Sequence, residues 1–185
     1  LKISDLRNII KHYKKVSEEL SLTSSENLSL PSRIHGIILV SRLHKPTLRA
    51  IYYARATRPS FLEAITVNVE QEETDELVKG WQDLEIPVPL KVLDSPFREV
   101  TTPILDYVKG IKRESPRDVI SIFVPQYVVG HWWEQLLHNQ SALRLKARLL
   151  FTPGVMVVSV PWQLISSENV KEKTPRPITQ NLLRP

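Results

Sequence analysis

The stretch Gly36-Ile37-Ile38-Leu39-Val40-Ser41 decides the fold of this chain. Its four consecutive apolar residues show no alternation with polar ones, which is typical of a strand buried on both faces. Such strands occur in parallel sheets that helices cover on both sides. A helix pattern follows at once, because Pro46 is a good first-turn residue and Pro59 ends the pattern. The sequence thus predicts a βα unit here.

The same unit recurs along the chain. Further strands are predicted at residues 64–69, 88–93, 119–124 and 155–160, and helices at 46–58, 72–84, 101–113 and 131–143. Strands that alternate with helices of about a dozen residues indicate right-handed βαβ units. Five strands and four helices therefore predict an α/β domain with a five-stranded, doubly wound parallel sheet.

The flanking segments differ in character from this core. Residues 1–20 predict an amphipathic helix, whose polar face is basic. Such a helix can lie on a membrane or a partner, or pack on its own domain, and the pattern leaves these alternatives open. Residues 21–32 form a polar linker, residues 33–165 the α/β domain, and residues 166–185 a tail that is predicted to be disordered.

Composition excludes several classes of function. The 185 residues include no cysteine, so disulfides, thiolate metal sites and cysteine nucleophiles are excluded. A net charge of +5 favours anionic partners, although a solvated basic surface explains it equally well. A nucleic acid polymer is not among the expected partners. No apolar run reaches the roughly 18 residues that a membrane-spanning helix needs.

Catalytic motifs are missing from the sequence. No GxGxxG follows the first strand, and neither a Walker A, a GxSxG nor an HExxH motif occurs. No activated nucleophile, metal cluster or acid/base pair is recognisable. We therefore expect a protein that is not an enzyme and that holds no metal or resident cofactor.

Polar and basic residues gather where a parallel sheet binds its ligands, outside the carboxyl ends of the strands. They are Ser41, Arg42, His44 and Lys45 after the first strand, Arg98 after the third, and Gln126, Tyr127, Val128, Gly130 and His131 after the fourth. Arginine grips phosphate, tyrosine stacks on a base, and free amides at a helix start bind anions. A single surface cation is common and predicts nothing by itself. The prediction of a nucleotide site therefore rests on the position of all these residues at one edge of the sheet.

This arrangement resembles the universal stress protein family, over about residues 33–161. The resemblance implies a sheet of order 3-2-1-4-5 and dimerisation through the last strand, which is predicted to lie at a sheet edge. Members that bind ATP carry Gly-x2-Gly-x9-Gly-[Ser/Thr] after strand four. The matching register here is Tyr127-x2-Gly130-x9-Gln140-Ser141, in which Gly130 and Ser141 agree with the pattern and Tyr127 and Gln140 depart from it.

A narrower resemblance rests on longer segments. These are Pro31–Gly36, Leu43–Ala50, Ala54–Pro59 and Tyr127–Glu134, which look like the cytosolic C-terminal domain of bacterial APC-superfamily permeases, the group of KimA-type potassium importers and amino acid permeases. The chain starts with Leu1 rather than Met, as expected for a piece of a longer protein.

The narrower resemblance implies a homodimeric regulatory domain, attached to a transmembrane permease domain on the cytoplasmic side of the bacterial cell membrane. Its ligand would be cyclic di-AMP, with ATP or AMP as alternatives. A structural dimerisation module without a nucleotide ligand is the competing hypothesis.

Overall fold

The computed structural model describes residues 3–21, 29–95, 98–128 and 140–163. Its elements in chain order are α1 (Ile3–Leu20), β1 (Ile34–Leu39), α2 (Lys45–Ala56), β2 (Phe61–Asn68), α3 (Gln71–Asp83), β3 (Leu90–Asp94), α4 (Thr101–Gly110), β4 (Val119–Val128), α5 (Gln140–Leu150) and β5 (Val155–Gln163).

The strands form one parallel sheet of order β3-β2-β1-β4-β5. This confirms the predicted fold class, the strand order and the N-terminal helix. Strand β1 lies at the centre between β2 and β4, so the order of the strands reverses beside it. Strand β5 lies at one edge of the sheet, as predicted.

The apolar run in β1 is buried on both faces because each face has its own core. Ile38 belongs to the face that α2 and α3 cover, together with Ala50, Ile51 and Trp81. Its neighbour Ile37 belongs to the face that α4 and α5 cover, and both isoleucines have no exposed surface. The absence of alternation in the sequence therefore reports a sheet that is packed on both sides.

Several predicted boundaries were wrong. Strand β2 begins at Phe61 rather than at residue 64, β4 continues to Val128 rather than to residue 124, and β5 continues to Gln163 rather than to residue 160. Residues 131–139 of the helix predicted at 131–143 lie outside the described residues, and α5 ends at Leu150. Pro125 lies beyond Phe123, the last β4 residue that pairs with β1, in the stretch that pairs with β5 on its other side. Proline is tolerated in such a stretch because one side of the strand carries no ladder of hydrogen bonds.

The chain divides into two units, Leu1–Leu30 and Pro31–Pro185. In the first unit, α1 has a continuous exposed surface that includes the apolar residues Ile9, Ile10 and Tyr13. In the described part of the chain, no helix combines the length and the hydropathy needed to cross a membrane. Most of the predicted linker and the whole predicted tail lie outside the described residues, so the domain boundaries stay predictions.

Candidate functional site

A cavity of about 370 Å³ lies at the carboxyl edge of the sheet, next to the reversal point at β1. Its walls are the ends of β1, β2 and β4 and the first turns of α2, α3 and α4. Doubly wound sheets bind their ligands at this position, because the helices on either side of the reversal diverge and leave a crevice. The volume falls in the range of about 300–1,000 Å³ that is usual for small-molecule sites.

The β1 side of the cavity is a fixed hydrogen-bonded turn. The buried Thr47 Oγ1 donates to the carbonyl oxygen of Arg42 at 2.6 Å, and it lies 2.7 Å from His44 Nδ1. The Thr47 hydroxyl has one proton, and it donates that proton to the Arg42 carbonyl oxygen. In its contact with His44 the hydroxyl oxygen is therefore the acceptor, so the ring proton of His44 is on Nδ1. Burial lowers the pKa of His44, with a smaller contribution from the charge of Arg42, so the ring is neutral at pH 7.

The β2 side of the cavity is acidic. Glu70 and Glu73, at the start of α3, both line it. Arg98 Nη1 lies 3.7 Å from Glu70 Oε1, and Arg42 Nη2 donates to Glu73 Oε1. All four side chains are at least half exposed, so each ion pair contributes little to stability and a ligand can replace it.

A carboxylate also occupies the start of α4. The amide N–H groups of Thr101 and Thr102 donate to the two carboxylate oxygens of Glu99, at 2.9 and 2.7 Å. These hydrogen bonds, those from Thr102 above all, lower the pKa of Glu99 to about 2. The helix start beside the cavity, a common place for an anion, is thus filled by the chain itself.

A lysine without a carboxylate partner supports the β4 side. Lys146 Nζ, on α5, donates to Gln126 Oε1 at 2.6 Å and to Ser159 Oγ at 3.1 Å. Among the described residues, no carboxylate lies within ion-pair distance of Nζ. Burial lowers the pKa of Lys146, as expected for a cation that has only neutral acceptors. Gln126 itself lines the cavity, so this charge lies one side chain behind the wall.

The predicted site residues take different positions. Ser41, His44 and Gln126 line the cavity, whereas Arg42, Lys45 and Arg98 lie at the same edge but outside the lining. Tyr127 and Val128 continue β4, and Gln140 and Ser141 begin α5, with their side chains outside the described part. Gly130 and His131 lie outside the described residues altogether.

Sequence reasoning missed Glu70, Glu73 and Lys146. The two glutamates had a signal, since they follow directly on a predicted strand. Lys146 had none, because the helix was expected to end before it. In the part of the chain that the structure describes, no three metal-ligating side chains come together.

Comparison with known proteins shows the family of this chain. Residues 33–162 match the family model described as the KimA potassium transporter C-terminal domain. The chain belongs to this family. One relative is the potassium transporter KimA of Bacillus subtilis (strain 168), which is 27% identical over 156 residues. The alignment covers 82% of this chain but 25% of the relative, so the chain spans about a quarter of the transporter's length.

Proposed function

We propose that this chain is the cytosolic regulatory domain of an APC-superfamily membrane transporter, and that it dimerises and binds an adenine nucleotide, cyclic di-AMP in the first place, to control transport. The observation that carries this proposal is the cavity at the reversal point of the sheet, in a domain whose family is named for a potassium transporter.

The lining of the cavity suits one nucleotide unit. The apolar ends of the strands offer a surface for a base, and a carboxylate such as Glu70 or Glu73 can accept hydrogen bonds from a ribose hydroxyl. The charge of Lys146 behind Gln126 would attract a phosphate, and a ligand phosphate could also draw Arg42 away from its exposed ion pair.

A cyclic dinucleotide contains two such units, and a cavity of about 370 Å³ fits one of them better than both. Two copies of the chain would therefore share one ligand. The exposed edge strand β5, which pairs with β4 in the described sheet, offers backbone groups for contact between copies. Binding would control the transporter if the ligand favours one packing of the two copies over another.

The competing function is a structural dimerisation module without a ligand. It is favoured by the three anion-binding features that are already satisfied internally. Arg42 and Arg98 are paired with glutamates, and Glu99 caps α4. On this view the cavity is a crevice between the helices that holds no ligand.

Calorimetric titration of the chain with cyclic di-AMP, ATP and AMP separates the two functions. The regulatory hypothesis expects saturable binding of at least one of them, with cyclic di-AMP binding at one ligand per two chains. Ligand at 100 times its dissociation constant should also stabilise the fold by about 2.7 kcal/mol, which a thermal unfolding experiment detects. No heat and no shift in Tm with all three nucleotides would leave the structural module as the function.

A further inference from the structure

A second concave surface lies at the opposite, amino edge of the sheet. We define it as the α4–α5 groove, an open depression of about 620 Å³ between the ends of these two helices. Three cations line it, namely Lys109, Arg113 and Arg148, and none of the described residues in its lining is a carboxylate. The nucleotide proposed above would bind at the other edge, so this groove is separate from the candidate site.

Exposed apolar side chains accompany these charges. Phe151 lines the groove with 84% of its surface exposed, and the preceding Leu150 is 68% exposed. The turn that presents them is well held, because the Phe151 and Thr152 amides donate to carbonyl oxygens of α5 and Thr152 Oγ1 donates to the Arg148 carbonyl oxygen. Two adjacent large apolar residues thus protrude from an ordered turn.

Helix dipoles alone do not explain this surface. Both helices end at the groove, and cations near helix C-termini are stabilising. That effect explains Lys109 and Arg148, but it gives no reason for leaving Phe151 and Leu150 in water. Cations beside exposed aromatic and aliphatic residues are typical of surfaces that rest on an anionic membrane.

Two acids that follow Arg113 in the chain, Glu114 and Asp118, have partners outside the groove lining. Glu114 Oε2 lies 2.6 Å from Arg33 Nη1, and Asp118 Oδ2 accepts the amide hydrogen bonds of Glu114 and Ser115, at 2.9 Å each. The Arg113 guanidinium lies close to Gly154, whose φ is +77° and where a Cβ would collide with it. The carboxyl edge, by contrast, carries Glu70, Glu73 and Glu99.

We infer that the α4–α5 groove and the α5–β5 turn dock on the anionic headgroup surface of a membrane. This inference rests on the proposed attachment of the chain to a membrane transporter. Strand β1 begins at the same edge, where Ile34 pairs with Val119 and the Ser32 amide donates to the Arg117 carbonyl oxygen. Docking would then orient the acidic carboxyl edge, with the nucleotide cavity, away from the lipid.

Sedimentation of the 185-residue chain with lipid vesicles tests the inference. Vesicles with roughly one third phosphatidylglycerol in phosphatidylcholine should bind the chain, and vesicles of phosphatidylcholine alone should not. Arg113→Gln with Arg148→Gln should weaken partitioning about 25-fold, at roughly five-fold for each cation. Phe151→Ser should weaken it about ten-fold, since the ring no longer enters the interface.

The control variant is Arg55→Gln with Lys79→Gln, which removes the same charge from positions outside the groove. Because α1 is itself basic, all variants are also compared with Lys11, Lys14 and Lys15 changed to glutamine. The inference is overturned if, with the three α1 lysines changed to glutamine, the Arg113/Arg148 variant and the control partition equally. It is also overturned if the chain with these three changes binds no vesicles at all. Circular dichroism and Tm establish that each variant is folded.

Two further measurements distinguish membrane docking from a contact between copies of the chain and from nucleotide binding. If Phe151→Ser dissociates a dimer in the absence of lipid, the groove is a contact between copies and the membrane inference fails. Nucleotide titrations of the groove variants should match those of the unchanged chain. If the chain binds vesicles but no nucleotide, only the proposed nucleotide ligand is refuted. If it binds a nucleotide but no vesicles, only the proposed membrane contact is refuted.

Discussion

Replacement of Lys146 by methionine separates a ligand-binding role of this cation from a structural one. The ammonium group has three protons, and among the described residues Gln126 and Ser159 accept two of them. One proton thus remains, and it would reach a phosphate in the cavity if the Gln126 side chain in front of it moved aside on binding. A hydrogen bond to a charged group contributes about 1.5–3 kcal/mol, so its loss should weaken nucleotide binding by about ten- to hundred-fold.

The same substitution should change stability much less. Methionine keeps the length of the side chain and no longer has to desolvate a charge, which offsets the two hydrogen bonds that are lost. We expect the free energy of unfolding to change by about 1 kcal/mol or less, as measured by urea denaturation. A loss of several kcal/mol would show that Lys146 is mainly a structural residue.

Calorimetric titration of the Lys146→Met variant with cyclic di-AMP measures the affinity. Lys79→Met is the matched control, since it removes the same charge from a position on α3 outside the cavity. Because burial lowers the pKa of Lys146, the affinity of the unchanged chain should also fall at a lower pH than that at which ordinary lysines lose their protons. Equal affinity of the two variants would refute a phosphate contact at Lys146.

Three further predictions concern the frame of the cavity. Leu149→Ala should destabilise the chain by about 2–5 kcal/mol in chemical denaturation, because this α5 side chain is fully buried in the core against the sheet. A loss below about 1 kcal/mol would contradict this packing. Glu99→Gln should lower Tm at pH 7 and flatten the loss of stability in acid. The Glu99 carboxylate, with its pKa of about 2, stabilises the fold above its ordinary pKa of 4.5 and loses this effect as pH falls through 2; an unchanged acid profile would count against the cap. His44→Asn should reduce the loss of stability as pH falls below about 6.5, because the lowered pKa of His44 means that the unfolded chain binds the proton more readily; identical pH profiles of Tm would exclude this role.

The carboxyl edge shows how far local patterns extend. Ser41 and His44 line the cavity, as the pattern of the first βα turn predicted, because residues that directly follow a buried central strand lie at the carboxyl edge of the sheet. Arg42 and Arg98 have the right chemistry for a phosphate, but each is paired with a glutamate at the start of α3. The pairing joins residues about 30 positions apart in the chain, and no local pattern encodes such a partner.

The sequence by itself determined the layers of this protein: an uninterrupted apolar strand requires cover on both faces, and strands that alternate with helices must run parallel. It also predicted the edge at which a ligand would bind, because that prediction follows from strand direction. Only the tertiary structure decided which charges remain available there. Ion pairs, caps and burial depend on distances between elements, so Lys146 and the basic groove at the opposite edge became visible only when helices α4 and α5 were packed on the sheet.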